Sequence, residues 1–91
     1  MDINFNDIEN KIIIDIRDNY KYLEKHIDGS KNIPENRLLL IPEYYINRNN
    51  EYVLYCDTGY RSKKVCNYLN SKGYKVYNLT GGINLYLKNN N

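Results

Sequence analysis

The chain has 91 residues, a net charge of +2 and no apolar run of 18 residues, which sets aside a membrane-spanning helix. No basic stripe of the kind that holds nucleic acid is present. The length is that of one domain, taken as residues 1–91, and a domain of this size buries only about 60% of the surface its unfolded chain exposes. The first residues, Met1-Asp2-Ile3-Asn4-Phe5-Asn6-Asp7, are acidic and polar, unlike the basic start and apolar core of a secretory signal, so a cytoplasmic location is expected. Sixteen Asn, eleven Ile, eleven Tyr and no Ala read as compositional replacement of Ala by Asn, Ile, Lys and Tyr. The tyrosines therefore carry little weight as evidence for a stacking surface.

In chain order, Ile3 begins a possible first strand and Ile12-Ile13-Ile14-Asp15-Ile16 is a β-branched apolar run. That run predicts a strand buried on both faces, as in a parallel sheet. A short helix is predicted over Asn19–Lys25, and Asn32-Ile33 forms a short strand before Pro34. Glu35–Arg48 reads as helical, with Pro42 splitting it. Tyr52-Val53-Leu54-Tyr55 is the next strand and ends at Cys56. Ser62–Lys72 is the clearest helix, with Val65, Cys66 and Leu69 on one face and Gly73 as its stop. Tyr74–Leu79 is a further strand, and Gly81-Gly82 turns into a last helix through Ile83, Leu85, Tyr86 and Leu87, with Asn89–Asn91 expected to fray. Strands alternating with helices predict an α/β fold with a mostly parallel sheet. Sites in such sheets form in loops at the carboxyl ends of strands, where Cys56 stands.

Charge is unevenly spread. Residues 1–51 carry seven basic and ten acidic side chains, a net of −3, while residues 52–91 carry six basic and one acidic, a net of +5. A positive potential around the second half would attract anions. Cys56 and Cys66 have no companion His or Cys at zinc spacing, so no metal site is expected. One reactive and one buried thiol suit an intracellular chain better than a disulfide scaffold does.

The informative segment is Cys56-Asp57-Thr58-Gly59-Tyr60-Arg61-Ser62, between a buried strand and a helix. A loop in that position turns backbone N–H groups inward, and with the helix N-terminus they make an anion cradle. A thiol there has its thiolate favoured, with a pKa lowered from ~8.5 to roughly 3.5–7.5. Gly59 permits a positive φ, Arg61 offers a fork of donors to a bound anion, Ser62 suits the helix N-cap and Tyr60 lines the mouth. A core cysteine ending a strand before an ordinary turn is the plainer alternative. Asp57 is the unusual member. A carboxylate ~5 Å from a thiolate repels it by roughly 1–3 kcal/mol, so Asp57 is expected to raise the Cys56 pKa and to repel anions.

The order of four motifs resembles the rhodanese homology family along nearly the whole chain. Asp15-Ile16-Arg17 is similar to its Asp-aliphatic-Arg element, and His26-Ile27-Asp28-Gly29-Ser30-Lys31-Asn32-Ile33-Pro34 to its His-Ile-x-Gly element. Cys56-x-x-Gly59-x-Arg61-Ser62 resembles the active loop, and Gly73-Tyr74-x-Val76-x-x-Leu79-x-Gly81-Gly82-Ile83 the tail. Departures are Tyr86 where the family often has Trp, Lys25 where Gly often precedes the His, and Cys66 where Ala is usual. The resemblance implies a rhodanese-like, mostly parallel five-stranded sheet flanked by helices on both faces. It implies a sulfurtransferase in which Cys56 is catalytic, carrying sulfur as a persulfide, and Asp57, Thr58, Gly59, Tyr60, Arg61 and Ser62 bind substrate. The donor would be thiosulfate or a persulfide, with Asp57 disfavouring thiosulfate relative to a persulfide, and the acceptor cyanide, a thiol or a partner protein, with no metal or organic cofactor. Asp15, Arg17 and His26 are implied to be architectural, and Cys66 a core residue rather than a resolving thiol. Two other readings stand beside it: a sulfur-relay module with little thiosulfate activity, and a cysteine phosphatase or arsenate-reductase-like enzyme. The six-residue span from Cys56 to Arg61, one shorter than in the related phosphatases, argues against the last.

Overall fold

The structure, a computed structural model, describes residues 1–89. Five parallel strands form one sheet in the order β1-β5-β4-β2-β3. They are β1 (Asp2–Ile3), β2 (Ile12–Asp15), β3 (Lys31–Asn32), β4 (Glu51–Tyr55) and β5 (Lys75–Leu79). The helices are α1 (Asn19–Glu24), α2 (Glu35–Leu40), α3 (Pro42–Tyr45), α4 (Tyr60–Ser71) and α5 (Gly82–Asn89), with a 3-10 turn at Phe5–Asp7. Pro42 splits the predicted Glu35–Arg48 helix, since proline has no N–H to give the preceding turn. Of the end expected to fray, Asn89 closes α5, and Asn90 and Asn91 lie outside the described residues.

The central strand β4 is buried on both faces because side chains alternate across a strand. Tyr52, Leu54 and Cys56 point to one side, where Leu38 of α2, Ile46 after α3, and Val65, Cys66 and Leu69 of α4 complete a cluster. Val53 and Tyr55 point to the other, against Ile27, Leu79, Ile83 of α5 and the partly buried Phe5 and Tyr86. Helices thus cover both faces of the sheet. Each fully buried Leu or Val in these clusters contributes about 1.5–3 kcal/mol relative to exposure. Tyr55 buries a hydroxyl as well, and that group is satisfied: the Ile27 N–H donates to it at 3.1 Å, and Ser30 Oγ lies at 3.0 Å. Phe5 and Tyr86 meet edge to face at 5.9 Å between ring centroids, so the tyrosine supplies a large aromatic contact on α5.

Helix α4 begins two residues earlier than its sequence suggests. Gly59, at φ +94°, is the residue before it, and Ser62 is its third residue, so Ser62 is not the N-cap. A left-handed glycine turns the chain straight from the loop into the helix, and the serine is carried inward, fully buried. Among the described residues, no helix is long and apolar enough to cross a membrane.

Candidate functional site

Strands β2 and β4 are neighbours, with Asp15 level with Tyr55. The chain leaves β2 for β3 in one direction and β4 for β5 in the other. A crevice opens at the carboxyl ends of strands where connections diverge in this way. Here it is a cavity of about 230 Å³, lined by Ile16, Arg17, Asp18 and Lys21 after β2, by Glu35 of α2, and by Cys56, Asp57, Thr58, Tyr60 and Arg61 after β4.

The loop after β4 is shaped by the start of α5. The N–H groups of Ile83 and Asn84 donate to the carbonyls of Cys56 and Asp57, each at 3.0 Å. Beyond those carbonyls the chain turns through Gly59 into α4, and amides of that turn face the sulfur. Gly59 N–H donates to Cys56 Sγ at 3.2 Å and Ser62 N–H at 3.4 Å, and Ser62 Oγ lies 3.3 Å away. The approach leaves no room at Gly82, where a Cβ would stand 2.5 Å from the Cys56 carbonyl oxygen and 2.6 Å from that of Asp57. Burial pushes the Cys56 pKa up, but the Ser62 hydroxyl, when its proton faces the sulfur, and the amides of Ser62, Gly59 and Thr58 outweigh it, and the thiol sits below its ordinary value. Cys66 has no such partners. Burial, with smaller contributions from Asp2 and Cys56, pushes it up to about 12.

The electrostatics of the mouth differ from the expectation drawn from charge along the chain. Asp57 does not stand as a lone charge beside the sulfur. Its carboxylate pairs with Lys21 Nζ at 2.7 Å and with Arg17 Nη1 at 3.3 Å. Burial raises its pKa, yet Lys21 and Arg17 hold it below the usual carboxylate range. Arg17 is itself fixed by the fully buried Asp15, through contacts of 2.7–3.1 Å from its side chain, and by the Lys25 carbonyl at 2.6 Å. Arg61 turns outward to Glu35, with Nε at 3.0 Å and Nη2 at 2.9 Å from Oε1. Three cations and three carboxylates (Asp18, Glu35, Asp57) therefore share the cavity wall. Glu35 of the first half meets Arg61 of the second, and Arg17 and Lys21 of the first half meet Asp57, so cations and carboxylates offset one another at the site. The pairs that achieve this lie 26 to 40 residues apart in sequence.

Of the residues singled out by sequence, Cys56, Asp57, Thr58, Tyr60 and Arg61 line the cavity, while Gly59 and Ser62 stand behind the sulfur. His26 packs elsewhere, stacked on Tyr22 at 3.9 Å with Nδ1 2.7 Å from the Tyr22 carbonyl oxygen. Lys21, Glu35 and Asn78 were not foreseen. Asn78 alone left a signal, as a polar residue inside an apolar strand. Among the described residues, no group of three or more His, Cys, Asp or Glu is placed to hold a metal ion.

The family model for the rhodanese-like domain matches residues 3–89. The chain belongs to the rhodanese-like domain family. It is 35% identical over 77 residues to a putative sulfurtransferase, YtwF, of Bacillus subtilis, spanning 82% of this chain and 72% of that protein. It is 33% identical over 95 residues to a tRNA uridine(34) hydroxylase of Buchnera aphidicola, spanning 96% of this chain but only 30% of that longer protein. A rhodanese-related protein of Thermoplasma volcanium shares the fold at a TM-score of 0.88 with 24% identity, over 97% of this chain and 91% of that one. The four sequence motifs now have physical places in this rhodanese-like domain. The Asp15-Ile16-Arg17 element fixes one wall of the cavity. The Gly81-Gly82-Ile83 element brings α5 onto the loop carbonyls.

Two outcomes follow. Iodoacetamide should alkylate native protein once, at Cys56, with a rate that rises as pH passes through the lowered thiol pKa, and Cys66 should react only after denaturation; intact mass against pH reads both. Gly82→Ala should slow that alkylation at neutral pH by about tenfold, because displaced carbonyls re-aim the amides facing the sulfur, and should cost about 1–3 kcal/mol in urea unfolding.

Proposed function

We propose that this domain is a sulfurtransferase that carries sulfane sulfur on Cys56. The observation that carries the reading is the convergence of the Gly59 and Ser62 amides on Cys56 Sγ at the floor of an open cavity. Amides fixed in this way stabilise negative charge on sulfur without reorganising during reaction. Names among the relatives support sulfur transfer in general.

In the first half-reaction, the Cys56 thiolate attacks the outer sulfur of the donor. With thiosulfate, the S–S bond of the donor breaks, sulfite leaves with the bonding pair, and Cys56 becomes Cys–S–S⁻. With a persulfide donor, a thiolate leaves instead. In the second half, cyanide or a thiolate attacks the terminal sulfur and Cys56 returns as thiolate. Neither half requires a change of metal oxidation state or an organic cofactor. The short turn from Cys56 to Arg61, with Arg61 drawn to Glu35, supports a small terminal sulfur over a phosphoryl group as its occupant.

The balance of charge in the mouth supports a persulfide as the better donor. Thiosulfate is a dianion, and Arg17, Lys21 and Arg61 are each already paired with a carboxylate. A donor of lower charge, including the persulfide of a partner protein, meets no such competition. Asp57 retains the part in donor choice expected of it, by occupying cations and not by repelling the thiolate.

Incubation with thiosulfate or a low-molecular-weight persulfide should add one sulfur atom to the protein by intact mass, and Cys56→Ser should abolish the gain while keeping the fold. Persistence of the added sulfur in Cys56→Ser would overturn the assignment. Glu35→Gln and Asp57→Asn should each lower the KM for thiosulfate by roughly threefold or more at low ionic strength, with the gain fading at high salt and with a smaller change for the persulfide. Thiocyanate release with cyanide as acceptor measures all three proteins.

A further inference from the structure

We infer that Asn78 is a positioning residue that sets which way the Ser62 hydroxyl faces Cys56. The inference refines the reading of Cys56 as the reacting thiol and rests on it. Asn78 lies on β5, level with Leu54 of β4, and shares the parity of Val76, whose side chain packs in the α4 cluster. It is buried, and a buried amide has to place both its hydrogens and its oxygen. Nδ2 donates to the Gly59 carbonyl at 3.1 Å and to Asp2 Oδ1 at 3.2 Å. Both partners only accept, so the amide cannot turn over without setting oxygen against oxygen. Oδ1 is thereby aimed at Ser62, whose Oγ donates to it.

A serine hydroxyl has one proton to give. Ser62 Oγ faces two acceptors, Asn78 Oδ1 and Cys56 Sγ at 3.3 Å. While the proton lies toward Asn78, the hydroxyl presents only lone pairs to the sulfur. A thiol fits this arrangement, since its S–H donates to Ser62 Oγ. A thiolate does not fit: it needs the Ser62 proton, and turning that proton leaves the Asn78 carbonyl against a lone pair. The Ser62–Asn78 pair therefore opposes the Gly59 and Ser62 amides, which favour the thiolate. A persulfide relieves the conflict, because its charge sits one atom further out and Sγ carries no proton.

The charged groups around the loop leave the Ser62–Asn78 pair as a local control. Arg17 and Lys21 hold Asp57, Arg61 holds Glu35, and Lys63 of α4 lies 3.6 Å from Asp2 of β1. Asp18 lines the outer cavity, and Cys66 of α4 stays neutral. Loss of the Asn78 amide orphans neither of its acceptors. The Gly59 carbonyl still accepts from Lys63 N–H at 3.2 Å, and Asp2 keeps its Lys63 contact.

The test is the pH midpoint of Cys56 alkylation by iodoacetamide, followed by intact mass, which needs no sulfur transfer and so separates this inference from the proposed function. Asn78→Leu, close in size, should lower the midpoint by about one pH unit, the scale of one hydrogen bond to a charged group. Ser62→Ala with Asn78 in place should leave the midpoint unchanged or lower, whereas Ser62→Ala added to Asn78→Leu should raise it. A merely structural role for Asn78 would not make the effect of Ser62 depend on it. The inference is overturned if Ser62→Ala alone raises the midpoint by about one unit, or if its effect is equal in both backgrounds. The single Ser62→Ala variant decides the matter even where Asn78→Leu does not fold.

Discussion

The hydrogen bonds from the start of α5 to the carbonyls of Cys56 and Asp57 are the constraint on which the site depends. A peptide carries its donor and acceptor on opposite sides, so fixing the Asp57 carbonyl toward α5 turns the Thr58 amide toward the sulfur, and the turn that follows brings the Gly59 and Ser62 amides there as well. The same contact explains why α5 begins with a glycine. A side chain at position 82 would occupy the space of the carbonyls themselves. The loop is thus held from outside by an element that contributes no side chain to the cavity wall.

A second layer sets the electrostatics. Asp15 is fully buried and holds Arg17 through both its backbone and its side chain. A buried ion pair is weak evidence for stability, but breaking one by removing a partner costs about 3–5 kcal/mol, because the other charge is left without compensation. Arg17 then carries this order to the mouth by meeting Asp57, which Lys21 also engages. The mouth is crowded with charge yet nearly balanced, since each of its three cations already meets a carboxylate.

A third layer lies behind the sulfur, where polar groups are fully desolvated. Ser62 and Asn78 are buried within a few ångströms of Cys56, and their hydrogen-bonding choices are limited because every neighbour is fixed. In such a place the position of one hydroxyl proton bears on the chemistry of the thiol. Cys56 and Cys66 illustrate the difference that placement makes. Both are buried, and only the one at the loop has amides to hold its charge.

Much of this was legible in the amino-acid sequence. The apolar runs 12–16, 52–55 and 74–79 marked the inner strands, Pro42 the break between two helices, and the four motifs the family and its parallel sheet with helices on both faces. Cys56 at the end of a buried strand marked where a site would form. These features are local, because strand alternation, proline geometry and glycine punctuation act over a few residues. What the sequence left open depends on contacts between distant residues. Ser62 looked like an N-cap because serine commonly is one, and only the left-handed Gly59 brought the helix start forward and carried the hydroxyl inside. Asp57 looked like an unpaired charge because Lys21 is 36 residues away, and Arg61 looked free because Glu35 belongs to another helix. Asn78 reached Ser62 only through the register of β5 on β4. Local chemistry chose the thiol and its loop; the packing of remote elements decided which charges are compensated and where each proton lies.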